Sequence, residues 1–157
     1  MPEPDKEEAM PSSKGPASVQ KIRIWLKRRG YSLVEGEAPI NQVCFSRKQV
    51  TLQKSLSEKS KAATLLHECG HILVYMSRKR SKKTKVSGAS WTDWISLARS
   101  RCKHKEMLCL QEEMVAWDRG EKLRQRLRIR LPRRFYVLTR TKALMSYVRY
   151  SAGWPGP

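Results

Sequence analysis

Two of the three histidines in this 157-residue chain stand four positions apart, in His67-Glu-Cys-Gly-His71. On a helix that spacing puts both side chains on one face, one turn apart, so their ring nitrogens can converge on a single ion. Glu68 lies about 100° round the helix from His67. It can stand beside such an ion without ligating it, take a proton from water and later deliver it to a leaving amine. The expected cofactor is a single zinc ion, which suits neutral imidazoles at about 2.0–2.1 Å. The competing reading is a buried helix with two incidental histidines. That would bury three polar groups at a substantial free-energy cost unless partners satisfied them.

A zinc site that does chemistry holds three protein ligands and keeps one position open. The third ligand must come from outside the motif. Gln111-Glu-Glu-Met-Val-Ala-Trp117 offers two carboxylates, Glu112 and Glu113. Without the upstream motif these would read as an exposed acidic face paired with nearby Lys and Arg, a kind of pair that contributes little. Cys102-x-His104 is a weaker metal signal, because no second matched pair accompanies it. The four cysteines (Cys44, Cys69, Cys102, Cys109) contain no Cys-x-x-Cys pair and read as reduced, packed thiols. Cys69 points away from both histidines.

The elements that must carry these residues form an α+β order. Residues 1–16 are rich in Pro, Ser, Glu and Lys and read as a disordered tail, 17–152 as one domain, and 153–157 as a loose end. A first helix spans about Ser18 to Arg29, with Ser18 as N-cap and Gly30 closing it. Three short strands follow: Tyr31–Val34, Gln42–Phe45 and Gln49–Leu52, with Arg47-Lys48 at a hairpin tip. The motif helix opens at Ser57 and runs to Arg78, apolar around much of its circumference, as a central helix should be. Trp91, Trp94, Ile95 and Leu97 suggest a short helix or lid. A second long helix runs from His104 to Ile129, ended by Pro132, and an amphipathic helix spans Arg134 to Tyr150.

Leu65-Leu-His-Glu-Cys-Gly-His-Ile-Leu73 followed by Glu113-x-x-Ala116 resembles the gluzincin peptidases, whose third ligand is a Glu in an E-x-x-A-[DN] helix. The three-strand lead-in and small size most resemble the ImmA/IrrE family of compact metallopeptidases; small HExxH proteins of phages and mobile elements are similar. The resemblance implies a minimal zincin-like domain, a short three-stranded sheet packed on the HExxH helix with further helices toward the C-terminus. It also implies His67, His71 and Glu113 as metal ligands, Glu68 as general base, and hydrolysis of peptide bonds in a protein substrate. Where the family has Asp or Asn one turn after the ligand, this chain has Trp117. Asp118 or Glu112 is then left to orient a ligand histidine. For the oxyanion, Tyr75, Tyr136, Tyr147 and an Arg all stay open.

Lys and Arg number 33 against 14 acids, a net charge of +19, and the pI is near 10.3. Such a surface attracts polyanions and says nothing about fold. The run Arg78, Lys79, Arg80, Lys82, Lys83, Lys85 reads either as a solvated loop or as a polyanion contact. With the basic helix end Lys122, Arg124, Arg126, Arg128 and Arg130, this gives a second reading of the chain: a basic nucleic-acid-binding or assembly protein that retains a zincin fold with little or no catalysis. A third is hydrolysis of a non-peptide amide. No apolar run reaches the roughly 20 residues of a membrane span, and Met1–Pro16 lacks the apolar stretch of a secretory signal, so the expected location is the cytoplasm.

Overall fold

The computed structural model describes residues 16–37, 41–80 and 103–153. The tryptophan-containing segment, Cys102, and Lys82, Lys83 and Lys85 of the basic run lie outside them. The first helix, α1 (Pro16–Lys27), starts two residues earlier than Ser18 suggests, because proline's fixed φ suits the first helical position. Its stripe of Val19, Ile22, Trp25 and Leu26 is buried. Gly30, at φ 76°, ends it: the Tyr31 N–H reaches the Leu26 carbonyl at 3.0 Å and the Gly30 N–H reaches that of Lys27 at 3.0 Å. These are the two bonds that satisfy orphan carbonyls at a left-handed helix end.

Strands β1 (Ser32–Gly36), β2 (Gln42–Cys44) and β3 (Gln49–Gln53) form a mixed sheet in the order β1-β3-β2. β3 is central, parallel to β1 and antiparallel to β2. Val50 and Leu52, two residues apart on β3, share its buried face and are fully enclosed. Glu35 on β1 accepts Lys61 Nζ at 2.7 Å and Arg23 at 3.1 Å, tying the sheet to two helices.

Helix α2 (Glu58–Arg80) carries the motif. Ser57 caps it, its Oγ accepting the Ser60 N–H at 3.3 Å. Ala62, Ala63, Leu65, Leu66, Cys69 and Ile72 are all buried, so α2 is the central helix its composition implies. Helix α3 (Lys103–Arg126) ends three residues before Ile129. Arg128 takes the left-handed conformation, φ 50°, and the Ile129 N–H returns to the Arg124 carbonyl at 2.9 Å. Helix α4 (Arg133–Ser151) buries only Tyr136. Tyr136 faces the core while its neighbour Val137 is exposed. Leu144 packs against the core while Val148 stays exposed, and Arg140 pairs with Asp118 at 2.7 Å. No described helix is long and apolar enough to cross a membrane.

Helices α2 and α3 meet backbone to backbone. A Cβ on Gly70 would collide with the carbonyl of Ala116, and one on Gly120 would collide with the Tyr136 hydroxyl and lie 2.6 Å from the Leu66 carbonyl oxygen. Each glycine sacrifices about 1 kcal/mol of helix propensity relative to alanine, so close approach is the reason for it. Gly120→Ala is expected to destabilise the fold by about 3 kcal/mol or more, measured by urea unfolding. Gly36→Ala, where a Cβ meets nothing within 4 Å, should leave stability unchanged or raise it by up to about 1 kcal/mol.

Candidate metal centre

On α2, His67 and His71 project from one face as the spacing requires, their Nε2 atoms 3.2 Å apart. Glu113 reaches them from α3: Oε2 lies 3.1 Å from His67 Nε2 and Oε1 lies 3.4 Å from His71 Nε2. Donor atoms of the three residues all fall within 4.8 Å of one another, an arrangement that could hold a metal ion. Glu113 rather than Glu112 faces both histidines.

Glu112 turns aside. Its Oε2 accepts Arg78 Nη1 at 2.9 Å, and its Oε1 stands 3.9 Å from His71 Nδ1. It therefore acts on His71 through charge, held in place by an arginine. That arginine, Arg78, belonged to the candidate polyanion run; its side chain is 10% exposed and turned inward. Lys79 is exposed. Asp118 is also drawn away, to Arg140, so it orients neither histidine.

His67 is held differently. Trp117 stacks on its ring, centroids 4.3 Å apart and planes 22° apart, and the Trp117 carbonyl accepts the Tyr136 hydroxyl at 2.9 Å. His67 Nδ1 is buried without a hydrogen-bond partner. Stacking thus occupies the place where Asp or Asn would have bonded the ring.

Glu68 is 5% exposed. Burial pushes its carboxyl above the ordinary range, against the pull of His67, His71 and the Val43 backbone N–H. Burial depresses His71, but the hydrogen bond and charge of Glu113 outweigh it, and the net shift is upward. Glu113 moves the opposite way: burial raises it, yet the two histidines hold it far below the usual carboxylate range. Cys69 is fully buried on the far side, a packing thiol.

A cavity of about 280 Å³ opens over this cluster, lined by Asn41, Gln42, Val43, Phe45, Glu68, His71, Glu113 and Tyr147. Of the three tyrosines, Tyr136 is enclosed and its hydroxyl is committed to Trp117, while Tyr75 stacks on Phe45 with centroids 4.5 Å apart. Tyr147 is the one on the cavity wall, its hydroxyl hydrogen-bonded to Glu113; burial, the Glu113 charge and that bond raise its pKa. The β2 residues of this wall carry no chemical signature in sequence and escaped it.

The pKa shifts fix the pH behaviour of metal-free protein. His71, raised in the fold, adds stability that is complete below its unfolded value of about 6.5 and is lost as pH climbs through the folded value. Glu113, lowered, adds stability that is complete above about 4.5 and is lost only in strong acid. Urea unfolding of metal-stripped protein should show stability declining with rising pH, first above about pH 4.5 as buried Glu68 is forced to ionise and further above about pH 6.5 as His71 loses its proton. Glu113→Gln should flatten that decline, since it removes the charge that raises His71.

Comparison with protein-family models, curated proteins and solved structures finds no match to this chain, so its site is argued from its own residues.

Proposed function

We propose that the chain is a zinc-dependent peptidase acting on a protein substrate, with His67, His71 and Glu113 as metal ligands and Glu68 as general base. The observation that carries this is the ligand triangle beside a buried carboxylate. Ligand atoms of a tetrahedral zinc with bonds of about 2.0–2.1 Å stand about 3.3–3.4 Å apart. The two histidine Nε2 atoms stand 3.2 Å apart, and each carboxylate oxygen of Glu113 approaches one of them, Oε2 at 3.1 Å from His67 and Oε1 at 3.4 Å from His71, so the pair of imidazoles matches that spacing and the carboxylate straddles it. Two imidazoles and one carboxylate are also a donor set typical of zinc that hydrolyses peptides.

Bound zinc would supply Lewis acidity, polarising a substrate carbonyl and easing deprotonation of water. The chain's own groups do the rest. Glu68, with a raised pKa, takes the proton of the attacking water and returns it to the amine that leaves. Tyr147, whose hydroxyl rests on Glu113 at the cavity wall, would turn that donor to the oxygen on which negative charge develops. Val43 and its neighbours belong to β2, the edge strand of the sheet. An extended peptide can lie along such an edge, which favours a peptide over a compact amide as substrate.

Elemental analysis of purified protein should find about one zinc per chain. His67→Ala and Glu113→Ala should lose it, and Glu112→Ala should retain it. Against an unstructured peptide library read by mass spectrometry, Glu68→Gln should keep the metal and cut about 100-fold or more slowly. Tyr147→Phe should lower kcat by about 100-fold with KM little changed. Failure to bind zinc on reconstitution, or equal cleavage by Glu68→Gln, sinks the proposal.

A further inference from the structure

On the other flank of the α2–α3 contact lies a second, larger cavity of about 440 Å³, lined by Leu73, Arg119, Lys122, Leu123 and Arg126. Leu73 stands two residues past His71, about 200° round α2, and Arg119 six residues past Glu113, about 240° round α3. The groove therefore opens away from the metal centre. Leu73 and Leu123 form its floor and three cations its rim. None of those three meets a carboxylate within 4 Å among the described residues. The acids of this stretch are engaged elsewhere: Asp118 on Arg140 and Glu121 on Arg124. Arg124, which sequence alone groups with Lys122 and Arg126, is thereby removed from the cationic row, its Nη1 bonded to the Leu131 carbonyl.

Three cations around a cavity, unopposed among the described residues, in a chain of net charge +19 point to an anionic occupant. Their spacing specifies its form. Arg119, Lys122 and Arg126 follow one another by one helical turn each, covering seven residues, or about 10.5 Å of helix axis. A strand of duplex DNA presents a phosphate about every 3.4 Å along its axis, so this row covers about three phosphate intervals. Arg119 is braced on α2 by bonds to the Leu73 carbonyl and Ser77 Oγ, both at 3.5 Å, which fixes one end of the row. We infer that this groove docks the phosphate backbone of duplex nucleic acid, on a face separate from the metal centre. The inference stands independently of any hydrolytic activity, and contact confined to phosphates reads no base sequence.

The test is fluorescence anisotropy with a labelled, mixed-sequence DNA duplex of about 20 base pairs, titrated at salt from roughly 50 to 200 mM. The triple variant Arg119→Gln/Lys122→Gln/Arg126→Gln should make the slope of log K against log salt shallower by about 2.7, three contacts at about 0.9 each. At 0.1 M salt that is a loss of roughly 500-fold in affinity. A control with the same net charge, Lys27→Gln/Arg47→Gln/Lys59→Gln, takes exposed cations from other faces and should change the slope by less than about 1. Should the triple variant unfold, Lys122→Gln/Arg126→Gln leaves the Arg119 brace intact and should change the slope by about 1.8. Equal losses in the groove variants and the control overturn the inference, since attraction is then spread over the whole surface. So does wild-type binding to phosphatidylserine vesicles with none to the duplex.

Discussion

The cluster of His67, His71 and Glu113 depends on two helices that touch without side chains between them. Gly70 on α2 lies against the Ala116 backbone, and Gly120 on α3 lies against the Leu66 carbonyl. These contacts set how far Glu113 on α3 stands from the imidazoles on α2. The same face of α3 carries Glu113, Ala116, Trp117 and Gly120 at helical spacing. Read along the helix, these are a metal-facing carboxylate, a contact, a ring that stacks on His67, and a second contact. Positioning and packing are thus carried by one stripe, and a side chain at either glycine would move all of it.

The motif and the central helix were legible because both are local. His67 to His71 is one turn, and the burial of α2 follows from its own composition. The strands were legible within a residue or two for the same reason. What sequence did not show is how charges are distributed in space. Arg78 belongs by sequence to a basic run and by structure to Glu112, 34 positions away. Arg124 belongs by sequence to a basic helix end and by structure to Glu121. Choosing Tyr147 over Tyr75 and Tyr136 depends on how α4 lies across the mouth of the site, a tertiary fact with no periodicity behind it. The two helix glycines did leave a signal. Gly in a helix interior is costly, and two of them in the helices bearing the chemistry point to a close crossing.

Trp117 orients a histidine by stacking instead of by a hydrogen bond. His67 Nδ1 is buried without a partner, a penalty of roughly 1–3 kcal/mol. Stacking offsets part of that, since aromatic pairs contribute about 0.5–1.5 kcal/mol beyond their area. It also fixes the ring plane, as a hydrogen bond would. Tyr136, holding the Trp117 carbonyl from α4, extends the support to the last helix. The ligand histidine is therefore oriented by packing on one side of the cluster and, through Glu112 and Arg78, by charge on the other.

The local charge of the site argues for a cation within an otherwise cationic molecule. Glu68, Glu112 and Glu113 bring three negative charges into a partly dehydrated cluster, and Arg78 returns one. With both histidines neutral the side chains sum to −2, which a low-dielectric site does not hold without compensation. Protons are one means of supplying it, and the upward shifts of Glu68 and His71 show that pull. A divalent ion is the other, and it brings the sum to zero while leaving the histidines neutral, as ligation requires. The two compete for the same nitrogens. If the cluster holds a metal as proposed, its affinity rises with pH as the His71 proton leaves, and Glu113, whose charge holds that proton on, sets the acid side of the dependence.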